Sequence, residues 1–415
     1  MLLLVAPPVE VSGSTWLELT TRPNVSAEAG EAVDIANGGI GVRARVLARP
    51  ASWLTLTFEP RFYIDFVDTD RTRAEPLEAH ARFRAGPIDI EAGLTRFDWG
   101  ISTLHRPTDP LNPRDWGAGF FRGEKLPELA LTVSGHWDSV SLDLVFVPVH
   151  RHPQYPGGGD ALGVRFGSLG ALNLDLREGW LFSDLGLDTM TLAARARASF
   201  GPVDLAAVWM RGPSRLPAPV LDDLTLRELV YPVDIIGGSA EAAVGPVVLR
   251  AEAAWVSSGR APIVVNAANP QPWTEPIPDS YVSYVVGAEL TLWDLIGDAD
   301  LTLTAEYAGE VREFLDAQAL LRPWQSDLHF LADFRLDDLD DTRVIAAVIL
   351  DLPQGDVVAR LAVERHLGAG FSLRIDAVLL SEGPGGALGE GDGPLTLTRS
   401  LSDRDTLSAR LSWRF

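Results

Sequence analysis

The sequence predicts an all-β fold: a single antiparallel transmembrane β-barrel of about 18 strands, within roughly 16–20. Three observations predict it. Apolar residues fall on every second position through most of the chain, the period of a strand with one wet and one apolar face. The alternating segments run about 9–12 residues, as tilted membrane-crossing strands do, against about 5–6 in ordinary sheets. Charge collects on the faces opposite the apolar ones, as in Arg195 and Arg197, Arg250 and Glu252, Arg360 and Glu364, and Arg374 and Asp376. A soluble barrel would bury its inner face and expose charge outside; here hydrophobes outside and charge in a wet lumen are the consistent assignment.

The clearest segment is the last. Leu407, Ala409, Leu411, Trp413 and Phe415 alternate with Thr406, Ser408, Arg410, Ser412 and Arg414. From the start of the chain, Leu17 and Leu19 alternate with Glu18 and Thr20, and Ile40, Val42, Ala44 and Val46 with Arg43 and Arg45. Leu54, Leu56 and Phe58 then oppose Thr55, Thr57, Glu59 and Arg61, and Leu77, Ala79, Ala81 and Phe83 oppose Glu78, His80, Arg82 and Arg84. Segment 88–94 carries Asp89 and Glu91 on its polar face. Leu129, Leu131 and Val133 precede a turn at Trp137-Asp138-Ser139, and Val140, Leu142, Leu144 and Phe146 follow it. Segment 161–178 reads as one long strand or a hairpin bent at 167–170. Strands follow at 189–200, 202–211, 233–245, 246–257, 280–292, 299–308, 326–335, 343–352, 355–365 and 369–380.

The connections also alternate. Gly86-Pro87, Gly201-Pro202 and Gly245-Pro246 are tight-turn signals. Between them lie polar stretches at 65–76, 97–126, 149–160, 212–232, 258–279, 310–325 and 382–403. Short turns at one end and long loops at the other are expected of a membrane barrel. Segment 313–322 is the best local helix candidate, placed on a loop. No linker, composition break or repeat divides the chain, so 13–415 reads as one barrel. Residues 1–12 read as a signal-peptide remnant or N-terminal extension: Met1-Leu-Leu-Leu-Val-Ala6 is apolar but short, lacks a basic start and meets Pro7-Pro8.

Composition narrows the function classes. Acidic residues outnumber basic ones, 57 to 35 over 415 residues, for a formal net charge of −22. That disfavours nucleic acid as a partner. The absence of cysteine excludes disulfides, thiolate metal sites and cysteine nucleophiles. No run approaches the ~18–20 apolar residues of a membrane helix, and a membrane protein without such helices must be a closed barrel. The seven histidines are scattered and sit in no catalytic motif, and no phosphate loop or dinucleotide fingerprint is present. The sequence therefore indicates neither an enzyme nor a cofactor.

The most distinctive loop is 97–126. Its prolines preset the backbone, and Asp109 and Asn112, each before a proline, favour turns. Trp99, Trp116, Phe120 and Phe121 supply area to bury, while Arg106 and Arg114 can pair with Asp98, Asp109 or Asp115. A compact loop follows, folded inward as a constriction or serving as a surface cap or plug. Trp99-Gly100 followed by Pro107-Thr-Asp-Pro-Leu-Asn-Pro-Arg-Asp115 resembles a loop motif of Gram-negative outer-membrane, porin-like proteins. The aromatic terminus, Trp413 and Phe415, is similar to the C-terminal assembly signal of bacterial outer-membrane β-barrels. The resemblance covers this loop and the last strand. It implies an outer-membrane location, outer-membrane lipid and the barrel-assembly machinery as partners, and no defined substrate; a homo-oligomer is compatible with it.

The polar faces of the first strands supply the candidate lumen residues Arg43, Arg45, Glu59, Arg61, Glu78, His80, Arg82 and Arg84. Charged rings in a lumen set ion selectivity, and interior salt bridges that stiffen the wall are the competing use. The turn Asp337-Asp338-Leu-Asp340-Asp341 has oxygen ligands for a cation but lacks the glycine and terminal glutamate of a calcium loop, so a solvated turn is expected. His150 and His152 lack a third ligand and are expected on an exposed loop, so no metal site is assigned. The reading that unites these features is a channel for passive diffusion of small hydrophilic solutes, with a modest preference for anionic or polar ones. The alternatives are a plugged structural or interaction barrel, and a barrel importing or exporting a long hydrophobic or polysaccharide substrate.

Overall fold

Alternation alone gives a ribbon with an apolar and a polar side; what makes it a barrel is that the first and last ribbons pair. The computed structural model describes residues 9–21, 36–67, 71–115, 123–154, 180–182, 190–215, 218–222, 225–260, 278–312, 326–353, 355–381 and 405–415. Its strands are β1 (Val9–Thr21), β2 (Ala36–Ala51), β3 (Leu54–Asp65), β4 (Arg73–Ala85), β5 (Ile88–Thr95), β6 (Arg114–Asp115), β7 (Glu124–Lys125), β8 (Glu128–Trp137), β9 (Val140–Val147), β10 (Trp180–Phe182), β11 (Thr191–Phe200) and β12 (Val203–Pro213). They continue with β13 (Ala218–Asp222), β14 (Thr225–Val230), β15 (Pro232–Val244), β16 (Val247–Arg260), β17 (Pro278–Ile296), β18 (Ala299–Arg312), β19 (Ser326–Arg335), β20 (Arg343–Asp351), β21 (Val357–Gly368), β22 (Phe371–Ser381) and β23 (Thr406–Arg414).

Eighteen of these form one sheet. β1 pairs with β2 on one side and, antiparallel, with β23 on the other, from Ser14 opposite Arg414 to Thr21 opposite Leu407. The Gly13 N–H donates to the Phe415 carbonyl at 2.9 Å, and the Phe415 N–H returns the bond to Gly13 at 3.0 Å. The sheet is thus closed, so the wall presents no open edge to lipid. β6 and β7 form a two-stranded ribbon, and β10, β14 and β13 a three-stranded sheet at the loop end.

The two faces follow the alternation. Leu17, Phe58, Phe62, Leu131, Leu144, Leu361 and Leu379 are exposed on the outside, while Glu18, Glu59, Asp143 and Asp376 are buried on the inside. An exterior of this kind is stable only against hydrocarbon. The short turns lie at one end, where Gly86, Gly201 and Gly245 have φ of 61°, 61° and 60°, which glycine adopts without steric cost. Exposed aromatics sit near these turns: Trp53 stacked with Phe83 at 6.0 Å, and Trp137, Phe200, Trp293, Phe371, Trp413 and Phe415. They form the interfacial belt expected of a membrane barrel.

Details differ from the sequence expectation in identifiable ways. β1 starts at Val9, ahead of the boundary expected at residue 13. Leu77, expected on the lipid face, is fully buried, because the β3–β4 register shifts between Glu59 and Pro60. That bulge changes the phase of β4, so Glu75 and Glu78 both serve the inner side, where they meet Arg61 and Arg96. Segments 161–178 and 313–322 lie outside the described residues; the wall passes directly from β9 to β11, with Val147 opposite Thr191.

Leu144→Arg would place charge on the lipid face of β9. A loss of about 2–4 kcal/mol is expected for a position near the bilayer midplane, read as a lowered denaturant midpoint for the barrel refolded in vesicles.

Candidate functional site: an inward loop on a charged wall

The connection between β5 and β8 enters the barrel, and its neck is locked by one amide. Asn112 Oδ1 accepts the Phe97 N–H at 2.6 Å, while Asn112 Nδ2 donates to the Leu126 and Thr95 carbonyls at 2.8 and 3.3 Å. Asp109 accepts the Trp99 N–H at 3.2 Å. Lys125, the only lysine of the chain, donates to the Phe97 carbonyl at 2.6 Å and bridges Asp98, at 2.9 Å, and Asp109. Arg106 holds Asp98 at 2.6 Å and the Ser102 carbonyl at 2.7 Å. Burial works to raise the Asp98 carboxyl, but Lys125, Arg106 and Arg195 outweigh it and hold it below the usual carboxylate range.

The apex of the loop is bound to the inner wall by two buried carboxylates. Glu252 of β16 accepts the backbone N–H groups of Ile101, Ser102 and Thr108, and the Thr108 hydroxyl at 2.6 Å. Glu306 of β18 accepts the Thr103 N–H at 2.8 Å. His105 meets the Ser283 hydroxyl of β17 at 2.7 Å. Burial, then the neighbouring His329 and Arg114, lower the His105 imidazole to about 3, with Glu306 pulling the other way.

Between neck and apex the loop lies on an apolar sector of the inner wall. Phe97, Trp99 and Leu111 pack with Ala130, Val145, Val147, Ala193, Val208, Met210, Val233, Ile235, Ala254 and Val256. The charged inner face expected from the sequence has an exception here: the wall is apolar where the loop covers it. Sequence carries a signal of this, because Val145-Phe-Val147, Val208-Trp-Met210 and Ile235-Ile236 interrupt the alternation with runs apolar on both faces. The Arg195 guanidinium lies 5.1 Å from the Trp99 ring and pairs with Asp143 at 3.0 Å. Buried Arg215 donates to the Leu111 carbonyl at 2.7 Å and pairs with Glu128 at 3.0 Å.

The returning arm of the loop meets the opposite sector through charge. Glu124 pairs with Arg61 at 2.7 Å, Arg96 at 3.1 Å and Arg43 at 3.4 Å, and Asp115 pairs with Arg73 and with Arg61 at 3.7 Å. Arg43 also holds Glu59, Arg96 reaches Glu59 and Glu78 at 3.3 and 3.2 Å, and Arg45 stands 3.8 Å from Glu59 and 4.0 Å from Glu78. Of the eight candidate lumen residues, Arg43, Arg45, Glu59, Arg61 and Glu78 therefore share one cluster. His80 and Arg82 form a second around Glu91, at 3.8 and 2.6 Å, and Arg84 pairs with Asp89 at the turn end at 3.0 Å. Asp98, Trp99, Arg106, Asp109, Asn112, Arg114 and Asp115 are each engaged, Arg114 donating to the Gly123 carbonyl at 3.3 Å, while Trp116, Phe120 and Phe121 lie outside the described residues. Sequence reading missed Glu75, Arg96, Glu124, Lys125, Glu252, Ser283 and Glu306, since alternation gives a residue's face but not its partner across the lumen.

The clusters are layered. The Glu59 side chain is 4% exposed beneath Arg45 at 55%, and Glu91 is 10% exposed beneath Arg82 at 47%. In these two pairs the carboxylate lies against the wall and the longer arginine covers it, whereas Arg250, 17% exposed, lies deeper than its partners Glu241 at 32% and Glu289 at 25%.

Two secondary candidates resolve structurally. His150 is buried against the Arg215 guanidinium rather than exposed, and burial followed by Arg215 lowers its imidazole to about 2. In the acidic turn, Asp338 accepts the Thr342 N–H and hydroxyl, each at 2.7 Å, while Asp340 pairs with Arg365 and Asp341 stands 3.9 Å from His366. These carboxylates hold the turn itself together.

The closed wall and its inward loop define the class as an 18-stranded antiparallel β-barrel with a loop bound to its inner face. No family model matches the sequence, and no curated protein matches it. Solved structures share the fold. Pseudomonas aeruginosa OccK2 (OpdF) in complex with glucuronate is 10% identical, with 98% of each chain covered and a TM-score of 0.52. Acinetobacter baumannii OccAB1 is 8% identical over 98% of this chain and 96% of its own, with a TM-score of 0.54. Pseudomonas aeruginosa OccK11 (OpdR) is 9% identical over 99% and 96%, with a TM-score of 0.50.

Glu252→Gln replaces an acceptor-only group with one that presents an N–H₂ to backbone donors. Detachment of the apex is expected, at a cost of about 3 kcal/mol to the docked loop, detected as proteolysis within 101–108 and a rise in single-channel conductance. His105 gives a pH test. Its docked pKa lies below the ~6.5 of a free imidazole, so the docked state has its full stability above about pH 6.5 and loses it as pH falls towards 3. Current noise should increase between pH 7 and pH 5, and His105→Gln should flatten that dependence.

Proposed function

We propose that this chain is an outer-membrane channel for passive diffusion of small hydrophilic solutes, with a preference for anionic ones. The observation that carries the proposal is the layering of the lumen wall beside an inward loop: arginines face the passage while their carboxylate partners are buried beneath them. The mechanism needs no covalent step. Polar side chains replace part of a solute's hydration, and the basic surface lowers the barrier for anions more than for cations. The loop narrows the cross-section, because its arms lie on β2–β4 on one side and on β8–β18 on the other. Interior arginines set the sign of selectivity because they border the path.

The test is single-channel recording of refolded protein in a planar bilayer under a salt gradient. A steady conductance with a reversal potential of anionic sign is expected. Replacing Arg45, Arg82 and Arg84 together by serine leaves Glu59, Glu91 and Asp89 without these partners and should shift the reversal potential towards cations. A folded barrel that does not conduct would overturn the channel reading, and an unmoved reversal potential would remove these arginines from the filter.

A further inference from the structure

The inward loop leaves the wall at Arg96 and returns to it at Glu124, and these two residues meet. Arg96 follows the last residue of β5. Its guanidinium donates to three carboxylates: Glu124 of the returning arm at 3.1 Å, Glu78 of β4 at 3.2 Å and Glu59 of β3 at 3.3 Å. Among the described residues no other cation joins all three. Arg43 reaches Glu59 and Glu124, Arg45 reaches Glu59 and Glu78, and Arg61 reaches Glu124 alone of the three.

The three carboxylates differ in freedom. Glu59 and Glu78 stand opposite each other in the β3–β4 ladder and are fixed by the wall. Glu124 belongs to β7, whose ladder is the two residue pairs it makes with β6. The other arginines of Glu124 are shared with competitors. Arg61 is bonded to Glu75 and stands 3.7 Å from Asp115, and Arg43 donates to Glu59 at 2.5 Å. Glu78 has Arg45, at 4.0 Å, as its only further cation among the described residues. Carboxylates that converge on one guanidinium repel one another once it no longer reaches them all. The carboxylate free to move is then Glu124, the one not carried by a wall strand. The Arg96 side chain is 18% exposed and that of Glu124 30%, so the arginine lies behind the group that borders the lumen.

We propose that Arg96 is a positioning residue for ion selectivity, which acts by clamping the Glu124 carboxylate of the returning arm against Glu59 and Glu78. It works through Glu124 and not as a charge met by the solute. With the clamp closed, the Glu124 charge is spent on arginines at the wall. With the clamp open, a carboxylate enters the passage beside Arg45 and offsets the attraction for anions. The shape of the side chain matters as much as its charge. A planar guanidinium presents five donors in a fixed fork, whereas an ammonium is a compact point charge that cannot span three separate carboxylates in the same way. The selectivity role rests on the channel reading; the holding of the arm is testable without it.

The decisive experiment joins reversal potentials under a salt gradient to thiol labelling of the folded protein in detergent. The chain has no cysteine, so Gly123→Cys places a single thiol beside Glu124. In that background Arg96→Lys and Arg96→Gln should each speed N-ethylmaleimide labelling about tenfold, the size of one lost charge-assisted hydrogen bond. Heat-modifiable migration reports that each variant is folded. Arg96→Lys conserves net charge, so a shift of its reversal potential towards cations reports position and not charge. Arg96→Gln should shift it further. In a Glu124→Gln background the Arg96→Lys shift should vanish, because the group that Arg96 positions is no longer charged. A reversal potential in Arg96→Lys equal to that of the unaltered chain would overturn the proposal. So would a shift of the same size in the Glu124→Gln background, or an unchanged labelling rate. Faster labelling in barrels that do not conduct would sink the channel, and the selectivity role with it, while showing that Arg96 holds the arm.

Discussion

The closure of β1 on β23 is the constraint on which the rest of the structure depends. In hydrocarbon an unpaired backbone N–H or C=O costs several kcal/mol, and an open edge of eight or so residues would carry a row of them. The exchange of bonds between Gly13 and Phe415, and the ladder from Ser14 to Thr21, remove that edge. Once the sheet is closed, the period of two becomes a division of environments. Every outward position must be tolerable to lipid, and every charge of the strands must find its partners inside.

The interior charges are arranged to limit the penalty of that confinement. A charge withdrawn from water is expensive, and a buried pair repays the cost only with good geometry and further hydrogen bonds. At several pairs the carboxylate is the deeply withdrawn partner and the arginine stays partly solvated. Asp376 is 2% exposed beneath Arg374 at 28%, and Glu18 is 7% exposed beneath Arg410 at 38%. Side-chain length makes this arrangement natural: an aspartate cannot reach the lumen past an arginine, whereas an arginine can cover an aspartate and keep its head in water. At these pairs the charge left nearest to water is the arginine's.

How much of this was legible in the sequence depends on the range of the interaction. Strand existence, face and strand count are local, and Leu54-Thr-Leu-Thr-Phe-Glu59 declares them within six residues. Phase errors arise where the wall is irregular, as at Leu77, because a bulge leaves no composition signal of its own. The loop was legible as compact from Asp109, Asn112 and its prolines, and Asn112 does lock the neck. Its direction was not legible from the loop itself. That information lies in strands up to some 200 residues further on, in Glu252 and Glu306 and in the doubly apolar runs of β9, β12 and β15. Trp16 was hidden for a related reason: an inward tryptophan beside Leu17 looks like another apolar residue until Gly41 is seen to make room for its ring.

The two arms of the loop are attached by different physics. The outgoing arm is held by apolar packing and by backbone bonds to buried carboxylates, both of which exclude water from the wall they cover. The returning arm is held by ion pairs to Arg43, Arg61 and Arg73, with arginines of the same cluster still partly solvated. The remaining wall, the arc formed by β20–β23 and β1, is lined by ion pairs. That arc carries Arg343 with Asp333, Arg360 with Asp376, Arg374 with Glu364 and Arg410 with Glu18. It runs from Trp16 at its β1 end to the paired charges of β20.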